Sequence, residues 1–219
     1  MQWGRVDPVD FRQPVEAVIP GAQGKLLAVF AETTAGLSVR TAARLSGVSL
    51  AQTSRILPEL ATLGILDRTE IPPSTVYQLV EENAASRAIR SLARSRDRVL
   101  SELGELAKLM VIPPVSIIVF GSFARGEAGR ESDVDIVMVR GSCIDASSEW
   151  SEGLDEWRRS ARRLTGNEVE VMEVDEFDVS LRLRSRRPVW QDIRREGIVV
   201  FGKTLQELQV NKQKARHVA

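Results

Sequence analysis

The spacing of apolar residues divides the chain into two parts with different patterns. Residues 24–80 predict, in order, a helix, a short strand, two helices and a hairpin of two strands. Residues 115–214 mix strands and helices without a regular strand–helix–strand repeat, which indicates an α+β domain. We therefore expect four segments: an arm rich in Pro and Gly (1–23), a first domain (24–82), a linker helix (83–112) and a second domain (113–219).

Turn and cap residues place the elements of the first domain more closely. Residues 37–40 have the pattern of a short strand, and Thr41 is a candidate cap for the helix that ends at Gly47. Ser49 is a good N-cap for the next helix, whose apolar residues recur on one face up to Gly64. Residues 65–70 and 75–80 then predict two strands joined by a proline-containing turn.

This order of elements resembles a winged helix-turn-helix. Residues 43–49 match the first helix and its turn, residues 57–66 match the end of the recognition helix, and residues 77–79 match the second wing strand. The resemblance implies binding to double-stranded DNA, often by a homodimer. Five side chains are placed to reach bases or phosphates, four on the exposed side of the recognition helix and one on the wing: Gln52, Thr53, Ser54, Arg55 and Arg68. A protein-interaction module is the alternative.

The candidate chemistry lies where the first strand of the second domain, 115–120, runs into Gly121 and Ser122. Gly121 has no Cβ, so its backbone can approach a phosphate closely. Ser122 opens a helix, whose free N–H groups favour an anion such as a triphosphate. Asp133 and Asp135 are two residues apart on the next strand and therefore point to the same face. A Mg²⁺ ion would relieve their repulsion and bridge to nucleotide phosphates.

Together with Arg125–Gly126 and Ser132, these residues resemble the signature of the polymerase β nucleotidyltransferase superfamily. The resemblance covers about residues 115–208. It is strongest to the minimal nucleotidyltransferases, a branch related to kanamycin nucleotidyltransferase and to antitoxins paired with HEPN toxins. It implies that Gly121, Ser122, Arg125 and Ser132 contact the nucleotide.

The family usually has a third carboxylate on a following strand. Glu170, between Val169 and Val171, is the candidate here, and Glu168 on the same face is the alternative. Asp133, Asp135 and Glu170 would then be the catalytic and metal-binding residues, with two Mg²⁺ ions as cofactors. The implied reaction transfers a nucleoside monophosphate from an NTP to an acceptor hydroxyl and releases pyrophosphate.

Composition narrows the other possibilities. The formal net charge is zero, which argues against a globally basic coat for nucleic acid. The only cysteine, Cys143, and the only histidine, His217, leave no set of soft ligands, so any metal is expected to be held by carboxylates. No apolar run is long enough to cross a membrane and no secretory signal is evident, so we expect a cytoplasmic protein.

Two hypotheses follow. The first is an active nucleotidyltransferase with a DNA-binding winged helix, whose acceptor is a toxin-like partner protein, an RNA end or a small molecule. In the antitoxin-like form it would also repress its own operon. The second is a transcription regulator that uses a non-catalytic nucleotidyltransferase domain as an NTP sensor. The role of one basic group near the second domain stays open between a solvated helix face and a binding surface: Arg182, Arg184, Arg186 and Arg187.

Overall fold

The computed structural model describes residues 10–141 and 148–210. Cys143 and His217, and the last residues of the predicted terminal helix, lie outside this part of the chain. The described residues form two compact units, residues 13–96 and residues 97–210 together with 10–12. None of the helices in the described ranges is long and apolar enough to cross a membrane.

The first unit is a small helical domain with a three-stranded antiparallel sheet of strand order β1-β3-β2. Its apolar side chains form one core, in which Leu26, Phe30 and Leu57 are almost completely buried. Its elements are α1 (Pro14–Val18), α2 (Ala22–Glu32), β1 (Leu37–Ser38), α3 (Val39–Ser46), α4 (Leu50–Thr62), β2 (Leu66–Ile71), β3 (Ser74–Leu79) and α5 (Ala84–Ala93).

Local capping explains where the two central helices begin and end. Ser38, not Thr41, caps α3: the Ser38 side chain accepts a hydrogen bond from the Thr41 backbone N–H at 3.2 Å. The predicted cap, Thr41, was therefore three residues too late, and the strand predicted through residue 40 was two residues too long. Gly47 ends α3 with a φ of +67°, and Ser49 caps α4 as predicted.

The boundaries of the two units differ from the domain boundaries predicted from the sequence. Val15 of α1 belongs to the first core with 1% of its surface exposed, so residues 13–23 are part of that unit and not an arm. The predicted linker helix is two helices, α5 and α6 (Ser95–Lys108). The physical reason is their apolar faces, since Ile89 packs on the first core whereas Leu103 lies in the core of the second unit.

The second unit has a mixed four-stranded sheet of order β6-β5-β4-β7, which confirms the α+β prediction. Strands β5 and β6 are parallel, and the other neighbours are antiparallel. After α6, its elements are β4 (Ser116–Phe120), α7 (Gly121–Arg125), β5 (Val134–Arg140), α8 (Ser148–Thr165), β6 (Val169–Asp175), α9 (Glu176–Leu183), α10 (Pro188–Glu196), β7 (Ile198–Gly202) and α11 (Leu205–Val210).

Alternation along β5 decides which face carries the candidate chemistry. Ile136 and Met138 belong to the core on the side of α6 and α8. Val137 and Val139 belong to a separate core with residues of α9, α10 and α11. Because side chains alternate along a strand, Asp135 lies on the same face as Val137, beyond the edge of this second core.

Candidate active site

The site begins where β4 ends at Gly121. This residue has a φ of +70°, and a Cβ placed on it would lie 2.3 Å from Oδ2 of Asp135. The register explains the proximity, because Phe120 pairs directly with Asp135 across β4 and β5. Gly121 therefore meets two requirements that a larger residue would not: a left-handed backbone, and room for a carboxylate against its Cα.

Three carboxylates belong to this end of the sheet. Asp135 pairs with Glu170 in the parallel register of β5 and β6, so their side chains lie on the same face. Asp133 precedes β5 by one residue and is exposed. Burial raises the pKa of Asp135, and the negative charges of Asp133 and then Glu170 raise it further, whereas Arg125 acts in the opposite direction. The positive charge of Arg125 therefore only partly offsets the effect of the negative charges of Asp133 and Glu170 on Asp135.

Glu168, the alternative third carboxylate, has a different environment. It forms an ion pair with Arg162, and its backbone oxygen accepts a hydrogen bond from the Val134 N–H at 2.8 Å. Glu168 does not contribute to the raised pKa of Asp135, whereas Glu170 does. Of the two glutamates, Glu170 is therefore the one that shares the electrostatic environment of Asp135.

The donor chemistry of this cluster suits Mg²⁺ within limits. In the two described ranges, no three Asp, Glu, His or Cys side chains converge closely enough to hold a metal ion by themselves. Mg²⁺ does not need such a cage, because it usually binds one or two carboxylates and completes its shell with waters and substrate phosphates. Asp133 and Asp135 would supply the hard oxygen ligands, and a cation would relieve the repulsion that contributes to the raised pKa of Asp135.

Arg125 is held by an ion-pair network rather than directed freely at a substrate. Its Nε donates to Glu127 at 2.7 Å, and its Nη1 donates to Glu196 at the end of α10. These two hydrogen bonds raise the pKa of Arg125. The network connects the end of α7 to the end of α10 and keeps a positive charge near Asp135. Neither glutamate stands out in the sequence as a partner of Arg125.

Ser132 and Ser122 have observed roles in the backbone of the site. The Ser132 Oγ accepts a hydrogen bond from the Gly129 N–H at 3.0 Å, which closes the turn before Asp133. The Ser122 backbone oxygen accepts from the Glu127 N–H at 2.8 Å and fixes the exit of α7. Their predicted contacts to a nucleotide remain predictions.

Asn167 is the residue that sequence reasoning missed. It is 2% exposed, and its Nδ2 donates to the backbone oxygens of Ser132, at 2.8 Å, and Gly129, at 3.3 Å. Its own backbone N–H is held by the Thr165 Oγ1 at 3.2 Å. A buried amide thus fixes the turn that delivers Asp133. No local pattern separates this Asn from an exposed one in a Gly-Asn turn, because its partners lie 35 and 38 residues away.

The recognition helix α4 presents three of its four predicted contact residues. Gln52, Ser54 and Arg55 are exposed. The prediction for Thr53 was wrong, because this residue is completely buried and its Oγ1 donates to the Ser49 backbone oxygen at 3.0 Å. Its place three residues before Ile56 puts it on the core face of the helix. On the wing, Arg68 is exposed and pairs with Glu70 at 2.9 Å.

Comparison with protein families assigns both units. Residues 96–199 match the family model of the nucleotidyltransferase domain, and residues 24–70 match that of the IclR helix-turn-helix domain. The chain combines an IclR-type helix-turn-helix domain with a nucleotidyltransferase domain. The resemblances to a nucleotidyltransferase and to a helix-turn-helix found in the sequence are thereby confirmed.

Comparisons with individual proteins add weaker likenesses. No curated protein sequence matches the chain. A crystal structure of a toxin-antitoxin with AMP-PNP is 20% identical, with a TM-score of 0.35 over 51% of this chain and 81% of that chain. A putative nucleotidyltransferase from Sulfolobus solfataricus is 20% identical, with a TM-score of 0.28 over 48% and 82%. The archaeal chromatin protein TrmBL2 is 13% identical, with a TM-score of 0.29 over 85% and 78%.

Proposed function

We propose that the second unit transfers a nucleoside monophosphate from an NTP to an acceptor hydroxyl in a Mg²⁺-dependent reaction. The observation that carries this proposal is the position of Asp135, against the Gly121 backbone and in the field of both Asp133 and Glu170. The match to the nucleotidyltransferase domain model supports the reaction class. A Mg²⁺ ion bound to these carboxylates would attract the anionic nucleotide. It would also neutralise the charge that develops during transfer and align the reacting oxygens.

The residues divide the work by position. Asp133 and Asp135 would hold the metal, with one or two ions according to whether Glu170 also ligates. Gly121 and Ser122 would offer backbone N–H groups to the phosphates at the start of α7, and Arg125 would contribute positive charge. The acceptor oxygen forms a bond to the α-phosphorus, the bond from that phosphorus to the bridging oxygen breaks, and pyrophosphate leaves with the bond electrons. Glu170 would take the acceptor proton, or would complete the metal ligands while water takes that proton.

The first unit is the part of the chain that would bind DNA. We infer that its helix-turn-helix binds double-stranded DNA through Gln52, Ser54 and Arg55, with Arg68 on the wing, as a homodimer in the usual manner of such regulators. The family match and the exposure of these side chains support this role. A protein acceptor, in an antitoxin-like and self-regulating unit with a toxin-like partner, fits this pairing of domains best. An RNA end or a small molecule is the other class of acceptor.

One observation favours a second function. In the described part of the chain, no three acidic side chains converge closely enough to enclose a metal, and the side chain of Glu170 is exposed. A site that binds Mg-NTP without turning it over would need only Asp133 and Asp135. The domain would then act as an NTP sensor that changes the DNA affinity of the helix-turn-helix.

Radiolabelled NTPs distinguish the two functions. The purified protein is incubated with Mg²⁺, an α-labelled NTP and either cell lysate protein or RNA, and Mg-NTP binding is measured in parallel. The enzyme proposal predicts label transfer that is lost in Asp133→Ala/Asp135→Ala. Binding without transfer to any acceptor would favour the sensor, and the absence of both would overturn both functions.

A further inference from the structure

A pocket lies in the nucleotidyltransferase unit, between α9 and the start of α10. Its volume is about 340 Å³. None of the residues that line it belongs to the carboxylate site around Gly121. The lining residues are Asp178, Leu181, Arg182, Ser185, Arg187 and Trp190.

Two arginines of the pocket have no observed use in the fold. The side chains of Arg182 and Arg187 make no hydrogen bond or ion pair within residues 10–141 and 148–210, and both residues are exposed. Neighbouring arginines are employed differently: Arg184 donates to the backbone oxygen of Gln209 at 3.0 Å, and Arg194 donates to that of Ser185 at 3.0 Å. Arg184 and Arg194 thus stabilise the loop between α9 and α10. The guanidinium groups of Arg182 and Arg187 remain for a ligand.

The hydroxyl group of Ser185 lacks a hydrogen-bond partner within the described residues. Its Oγ is buried, and no atom in the described ranges forms a hydrogen bond with it. Buried hydroxyls are almost always hydrogen-bonded in native proteins, so an orphan in a pocket wall indicates a missing partner. A ligand oxygen in the pocket would supply it.

The sign of the local field favours an anion. Arg187 is the N-cap residue of the nine-residue helix α10, and no side chain caps this end of the helix. The helix dipole therefore places partial positive charge at the mouth of the pocket. Among the lining residues, two arginines against one aspartate, Asp178, leave one net positive charge.

We propose that this pocket binds a phosphate group, carried by a free nucleotide or by an RNA chain. Guanidinium groups in a fork, a hydroxyl and a helix N-terminus are the donors that bind phosphate in proteins. This inference goes beyond the transfer reaction and does not depend on it. The far end of α10 carries Glu196, the partner of Arg125, so a helix of nine residues, roughly 13 Å, connects the two places.

Calorimetric titration of the full chain with sodium tripolyphosphate, in EDTA at fixed ionic strength, tests the proposal. EDTA removes divalent metal, so the carboxylate site repels the probe. The test variant is Arg182→Gln/Arg187→Gln. The matched control is Arg186→Gln, because Arg186 is an exposed arginine of the same loop that does not line the pocket. Thermal melts of all variants establish that the fold is kept.

We expect tripolyphosphate affinity to fall roughly tenfold for each arginine removed, and to be unchanged in Arg186→Gln. Equal losses in the test and control variants would overturn the proposal, as would the absence of binding to the unaltered protein. ATP and a single-stranded oligoribonucleotide are titrated in parallel. The one whose affinity depends on Arg182 and Arg187 identifies the source of the phosphate, and dependence with tripolyphosphate alone identifies an inorganic anion.

Discussion

Gly121 and Asp135 are fitted to each other across β4 and β5. The Asp135 carboxylate occupies the space in which any other residue at position 121 would place its Cβ, 2.3 Å from Oδ2. The positive φ of Gly121 turns the chain into α7 at the same point. One glycine therefore serves both the backbone turn and the placement of the carboxylate, which makes this contact the most sensitive point of the site.

Gly121→Ala should abolish most nucleotidyl transfer. The added Cβ must displace Asp135, and a displacement of about 1 Å at reacting groups costs on the order of 100-fold in rate. The left-handed backbone adds a stability cost of about 1–2 kcal/mol for a non-glycine residue. Initial rates of label transfer and urea unfolding measure the two effects.

Gly47→Ala is the matched control for backbone strain. Gly47 has a φ of +67° and nothing within 4 Å of the position of a Cβ. This variant should therefore lose a similar amount of stability in the first unit and keep its transfer rate. Equal transfer rates for Gly121→Ala and the unaltered protein would contradict the role assigned to the Gly121–Asp135 contact.

Asn167→Leu should weaken the site from a distance. It removes the two donors that hold the backbone oxygens of Gly129 and Ser132, and an unsatisfied buried oxygen costs roughly 1–3 kcal/mol. We expect lower stability and a higher Mg²⁺ concentration for half-maximal transfer, because Asp133 follows this turn directly. Ser132→Ala loses only one hydrogen bond to the same turn and should show a smaller shift in Mg²⁺ requirement. An unchanged Mg²⁺ requirement in Asn167→Leu would leave Asn167 a structural residue only.

The raised pKa of Asp135 has a consequence for stability against pH. A carboxyl whose pKa is raised in the folded state favours folding most at low pH, and this contribution is lost as the pH rises through the raised pKa. At neutral pH the ionised Asp135 therefore costs stability. Asp135→Asn should melt at a higher temperature than the unaltered protein at pH 7 without metal, and the difference should shrink below the ordinary pKa of aspartate. A lower melting temperature at pH 7 would refute this assignment.

DNA binding by α4 should depend on Arg55 and not on Thr53. Arg55→Gln removes an exposed positive charge, so it should lower the salt dependence of log K by about 1 if the arginine contacts a phosphate. Thr53→Ser keeps the buried hydroxyl that donates to Ser49 and should bind DNA normally. Fluorescence anisotropy over a salt series, with operator-region DNA, measures both. Unchanged DNA binding in Arg55→Gln would contradict the role of Arg55, and the absence of DNA binding by the unaltered protein would favour the protein-interaction module.

The sequence predicted most elements because their signals are local. Ser49, Gly47 and the alternation of β5 each act over a few residues, so caps, turns and strands are found within one to three positions. The pairing of the third carboxylate with Asp135 depends on the parallel register of β5 and β6, which periodicity alone does not determine. The sequence alone therefore did not decide between Glu168 and Glu170 as the third carboxylate.

Long-range partners account for what the sequence did not predict. Arg125 pairs with Glu196 across 71 positions, and Asn167 reaches Ser132 across 35. Thr53 was misplaced for a different reason: a small polar residue can lie on either face of a helix, and its burial depends on the residues packed around it. The chain breaks between α5 and α6 because the apolar face of α5 packs on the first core and that of α6 packs on the core of the second unit.

The most direct test of the account compares Glu170→Gln with Glu168→Gln in single-turnover transfer from an α-labelled NTP. The two variants make the same chemical change two residues apart, at Glu170 in β6 and at Glu168 directly before that strand. If Glu170 activates the acceptor or completes the metal ligands, its loss should slow transfer by roughly 10²–10⁴-fold, and Glu168→Gln should retain the rate. Transfer that survives in Glu170→Gln, or falls equally in both variants, would contradict the assignment of Asp133, Asp135 and Glu170 as the catalytic carboxylates.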